Sequence, residues 1–134
     1  MTNEKCFEVH AELVVRPTGQ DVDDIMVSAL EGGICYWCDR VTVEGQYLGK
    51  YASEQISRGG TLKVHVTEPF DEQDTEWYEL DIEKFMQGFR LWLENGGDCY
   101  GAVSGDGKVD CGEIDAGCAD AIIQYALFGD LVFG

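Results

Sequence analysis

The chain has 134 residues, of which 26 are Asp or Glu and nine are Lys or Arg, for a formal net charge of −17. A surface of that sign repels nucleic-acid phosphates and anionic lipid, which argues against direct nucleic-acid binding and against a membrane role. With 45% hydrophobic residues and six Phe, six Tyr and three Trp, the chain can build one core over 1–134 as a single domain, without a disulfide or metal staple.

The opening MTNEKCFEVH lacks the basic flank and apolar run of a signal peptide, and no segment approaches the ~20 apolar residues of a membrane span. A cytoplasmic protein with free thiols is expected. Phe7 to Val15 reads as a first strand, ended by Arg16-Pro17. Asp21 to Leu30 sets Val22, Ile25, Met26, Ala29 and Leu30 on one helical stripe, and Gly32-Gly33 is expected to stop it. Ile34 to Val43, β-branched and aromatic, predicts a strand. Tyr51 to Arg58 predicts a short helix ended by Gly59-Gly60. Leu62, Val64 and Val66 alternate with Lys63, His65 and Thr67, the period of a half-exposed strand, and Trp77 to Asp81 is its expected hairpin partner. Ile82, Phe85, Met86, Phe89, Trp92 and Leu93 form the clearest amphipathic stripe, closed by Asn95-Gly96-Gly97. A last helix is expected over 114–128, with Ala119, Ile122, Ile123, Ala126 and Leu127 inward and Gly129 as its cap. The fold class that follows is α+β: a mostly antiparallel sheet of about four strands packed against two to four helices in a single layer.

Two stretches imitate chemical motifs. Cys35-Tyr-Trp-Cys38 has the spacing of a metal knuckle, but a structural zinc wants four ligands. Cys6, Cys99, Cys111, Cys118, His10 and His65 do not repeat that spacing. A redox pair would open a helix, whereas this one follows a helix and enters a strand, where Cys35 and Cys38 face opposite sides. The run GDGKVDCGE places Asp106, Gly107, Asp110 and Glu113 like the back half of an EF-hand loop, with Ser104 at its third position. Its first position is Ala102, which has no side-chain oxygen, and Gly96-Gly97 ends the helix that should enter it. The same loop misses a Walker A motif, with Ala102 where glycine belongs and Val109 at the magnesium-binding position. It misses the Gly-x-Ser-x-Gly elbow by one residue. No metal site, cofactor or catalytic residue is therefore assigned. The alternative is a small cytosolic enzyme or metal- or ligand-binding domain that uses Cys35, Cys38, His10 and His65.

The acids are unevenly placed. Glu68, Asp71, Glu72, Asp74, Glu76, Glu79, Asp81 and Glu83 fall in a segment, 68–83, with no Lys or Arg. They are the first choice for a partner-binding face, and Asp110, Glu113, Asp115 and Asp120 are the second. Three further blocks, Ala29–Cys38, Tyr51–Gly60 and Asp120–Gly134, resemble a family of small uncharacterised proteins carried by bacteriophages and other mobile elements. That resemblance carries over no functional residue. It implies a context in which small acidic proteins inhibit host defence, including anti-CRISPR proteins and mimics of DNA. The expected function is inhibition of a host nucleic-acid-binding defence protein, such as a nuclease or Cas effector, by occupation of its basic surface.

Overall fold

Thr18 opens the first helix with a reciprocal cap: its hydroxyl accepts from the Asp21 N–H at 3.1 Å, and the Asp21 carboxylate accepts from the Thr18 N–H at 2.8 Å. The structure, a computed structural model, describes residues 5–97 and 101–134. Helix α1 (Gly19–Ser28) buries Val22, Ile25 and Met26, as its stripe requires. Gly32-Gly33 does not stop it. The backbone instead widens into a π-turn over Ala29–Gly33. Glycine is needed there for approach, since a Cβ on Gly33 would sit 2.5 Å from the Ala116 carbonyl oxygen. A helical turn then follows, with the Trp37 and Cys38 N–H groups donating to the Ile34 carbonyl at 3.1 and 2.9 Å. It drives Trp37 into the core, and the strand expected from Ile34 starts only at Cys38.

The sheet is antiparallel in the order β1 (Cys38–Val43), β2 (Leu62–Val66), β3 (Trp77–Leu80). Val41 faces Val64 and Val43 faces Leu62, and across the other ladder Val64 faces Tyr78 and Leu62 faces Leu80. These pairs share the inner face, because directly opposed residues point the same way. The outer face carries Arg40, His65 and Trp77 in one row and Thr42, Lys63 and Glu79 in the next.

Three strands replace the four expected among the described residues. The expected strand Phe7–Val15 is the difference: residues 5–15 make no backbone hydrogen bond among the described residues, and just beyond them the Arg16 N–H donates to the Gly107 carbonyl at 2.8 Å. Alternation creates a face for a strand but supplies no neighbour. The short helix expected over 51–58 contracts to a 3₁₀ turn, Ala52–Glu54.

Helix α2 (Ile82–Glu94) is capped by Asp81 and buries Phe85, Phe89 and Trp92, while Met86 stays at the surface. Helix α3 (Ala116–Phe128) begins after a 3₁₀ turn at Cys111–Glu113 and ends at Gly129. The two helices cross closely at Gly88, where a Cβ would lie 2.5 Å from the Ile122 carbonyl oxygen and 2.6 Å from the Ala126 Cβ. Among the described residues no helix is long and apolar enough to cross a membrane.

Candidate interaction surface

Hydrogen bonding sorts the acids of 68–83 into committed and uncommitted groups. Asp71 accepts from the Thr75 N–H at 2.7 Å and the Thr75 hydroxyl at 2.5 Å, and these bonds hold its carboxyl below the usual aspartate range. Asp81 accepts from the Lys84 N–H at 2.9 Å as the cap of α2. Glu76 stands 3.6 Å from the His65 Nε2, and Glu79 lies opposite Lys63 in the ladder. That leaves the exposed side chains of Glu68, Glu72, Asp74 and Glu83, whose carboxylates make no hydrogen bond or ion pair among the described residues. The loop holding the first three is pinned by Phe70, stacked on Tyr78 at 6.3 Å and edge-on to Phe128 and Phe133 at 5.0 and 5.6 Å.

The second group divides more sharply. Asp110 and Asp115 are exposed caps, accepting from the Gly112 N–H at 3.0 Å and the Cys118 N–H at 2.8 Å. The bond from the Cys118 backbone holds the Asp115 carboxyl below its ordinary range. The Glu113 carboxylate is exposed and makes no hydrogen bond or ion pair among the described residues.

Asp120 corrects the expectation. It is 9% exposed, and its carboxylate accepts from the Tyr36 hydroxyl at 2.6 Å, the Trp37 indole N–H at 2.7 Å and the Gln124 amide at 3.0 Å. Burial, and then the Asp120 carboxylate itself, push the Tyr36 phenol up to about 12. Buried and engaged by three internal donors, Asp120 offers far less of its carboxylate to a partner than the exposed acids do.

Gln124 extends this network to the chain's last residues. Its carbonyl accepts from the Val132 and Phe133 N–H groups, each at 2.8 Å, and its amide donates to the Phe133 carbonyl at 3.2 Å. Phe133 then stacks on Trp37 at 5.4 Å and 7°. Tyr36, Trp37, Gln124 and Asp120 thus act as one unit. The signal was faint: Asp120 lies one position from Ala119 and three from Ile123, on the inward stripe of α3.

Among the described residues, Cys35, Cys38, Cys111, His10 and His65 engage backbone carbonyls and carboxylates. Cys35 is exposed and donates to the Leu30 carbonyl at 3.5 Å. Cys38 is buried, and burial pushes its thiol up. Cys111 lies against Asp21, and burial followed by that carboxylate pushes it up to about 12. A raised thiol is a poor nucleophile and a poor metal ligand. His65 bonds Asp39 at 2.5 Å and packs on Trp77 at 4.7 Å, and this bond holds the Asp39 carboxyl low. His10 is exposed beside Glu8. No group of three or more His, Cys, Asp or Glu among the described residues is placed to hold a metal ion, and Cys99 lies outside them.

The EF-hand-like run folds as a small hairpin. Val103 bridges Val109, the Gly107 N–H donates to the Ser104 carbonyl at 2.9 Å, and Asp106 accepts from Ser104 and from the Lys108 N–H. Asp106 and Asp110 thus serve turns of their own loop. No protein-family model, curated protein or solved structure matches the chain.

Proposed function

We propose that this is an acidic binding protein that inhibits a host nucleic-acid-binding defence protein, such as a nuclease or Cas effector, by occupying its basic surface in the manner of a DNA mimic. The observation that carries the reading is the set Glu68, Glu72, Asp74 and Glu83. These carboxylates are exposed and free of partners among the described residues, in a segment without Lys or Arg. Duplex DNA presents one charge per ~1.7 Å of axis, so a basic channel built for it rewards closely spaced carboxylates. The Phe70 contacts anchor the loop that carries Glu68, Glu72 and Asp74, and Glu83 stands in α2, so less backbone has to be ordered on binding. The phage-type resemblance supplies the biological setting, the cytoplasm of a host cell.

The test is competition. Increasing amounts of the protein are added to a panel of basic nucleases and Cas effectors bound to labelled DNA, at two salt concentrations. Release of DNA that weakens steeply with salt is expected. It should be lost when Glu68, Glu72, Asp74 and Glu83 are all changed to Gln or Asn. Release that ignores both salt and the fourfold change would defeat the proposal.

A further inference from the structure

The segment Phe7–Val15 has the pattern of a strand and no strand partner. Phe7, Val9, Ala11 and Leu13 alternate with Glu8, His10 and Glu12, and Phe7 and Val9 are 87% and 90% exposed. Alternation of this kind makes one apolar and one polar face, useful only when a second strand completes the ladder. Here no ladder exists: residues 5–15 make no backbone hydrogen bond among the described residues. The root of the arm is nonetheless placed, by the bond from Arg16 to Gly107 and by a groove that Ala11–Val15 and Pro17 line together with Met86, Phe89, Arg90 and Leu93 of α2, so that only the outer part of the arm stands clear of the fold.

The same chain carries an edge that fits it. The sheet ends in β1 and β3, and β3 is short, with the Glu79 carbonyl already accepting from the Lys84 ammonium at 2.8 Å. Strand β1 is longer, six residues, with no strand beyond it among the described residues. Its core-side residues show what is missing. Val41 and Val43 remain half-exposed, whereas Val64 and Leu62, directly across from them in β2, are 1% and 0% exposed.

We infer that the arm of one copy of this chain adds as a fourth strand to the β1 edge of a second copy, and reciprocally, forming a two-fold dimer. Nine arm residues span ~30 Å when extended, enough to cover the ~20 Å of β1. In the antiparallel register that faces Val9 with Val43 and Ala11 with Val41, the apolar arm residues cover the half-exposed valines. Glu12, which lies near Arg90 of α2 in the single chain, then exchanges that neighbour for Arg40, opposite it on the outer face as an opposite-charge cross-strand pair. Reciprocal exchange between two copies uses both arms and both β1 edges, so the closed dimer leaves neither free to propagate. This assembly stands independently of the proposed inhibitory function.

Sedimentation equilibrium on the full chain tests it. The wild type is expected to populate dimer in the micromolar range. Val9→Pro removes a ladder donor at a site exposed in the monomer, so it should raise the dimer Kd at least ~10-fold with unchanged circular dichroism. Arg40→Glu and Glu12→Arg should each weaken the dimer several-fold, and the double variant Glu12→Arg/Arg40→Glu should restore it to within ~2-fold of wild type. A wild type that stays monomeric to ~1 mM overturns the inference, as does a dimer indifferent to Val9→Pro. A dimer that needs Val9 but is not rescued by the charge exchange overturns the assignment to β1.

Discussion

Asp120 and the acids of the 68–83 segment are the same chemical group in opposite circumstances. The carboxylates of Glu68, Glu72, Asp74 and Glu83 face water with no partner among the described residues, whereas Asp120 is buried under three donors from Tyr36, Trp37 and Gln124. The difference teaches that negative charge in this chain has two separate uses. The buried carboxylate organises the core around the last residues, and the exposed ones remain available to another molecule. Removing a buried acceptor strands its donors, while removing an exposed charge strands nothing.

The largest effect expected from breaking this contrast comes from Asp120→Ala. Three donors lose their acceptor, and about 3 kcal/mol of stability should disappear, read from chemical denaturation. Should Asp120→Ala unfold no more readily than a surface substitution, the two situations are not distinct. Gln124→Ala is next, at about 2 kcal/mol, because it frees the Val132 and Phe133 N–H groups and loosens Phe133 from Trp37. Hydrogen exchange at residues 131–134 should rise in that variant before the rest of the chain responds.

Asp115 lies between the extremes. Replacing this cap with Ala should cost about 1 kcal/mol. Its folded pKa is depressed, so its contribution is complete above the ordinary aspartate value near pH 4 and is lost as pH falls through the lower folded value. The Tm gap between wild type and Asp115→Ala should therefore close on acidification below about pH 4. A gap unchanged at low pH would show that the charge is not what caps the helix. The smallest effect on folding is expected from neutralising Glu68, Glu72, Asp74 and Glu83 together. Tm should hold or rise slightly as self-repulsion falls, while salt-sensitive binding is lost.

Strands β2 and β3 and helices α2 and α3 were legible because each combines a clear period with a local stop: Leu62–Val66 by its alternation, Ile82–Glu94 by the Asp81 cap and the Asn95-Gly96 end. The reading failed where a distant partner decides. Gly32-Gly33 looks like a helix terminator, yet Gly33 is there to admit the Ala116 carbonyl. Asp120 looks like one more surface acid because Tyr36 and Trp37, its donors, lie more than eighty residues away. Phe7–Val15 fails for the reverse reason, since its alternation is sound but no strand pairs with it among the described residues.

Composition and period by themselves determined the α+β class, the position of most elements and the excess of negative charge, because each depends on side chains a few residues apart. Tertiary structure alone decided which carboxylates are spent inside and which remain outside. A carboxylate's role is set by the donors around it, and those are brought together only when the chain closes on itself.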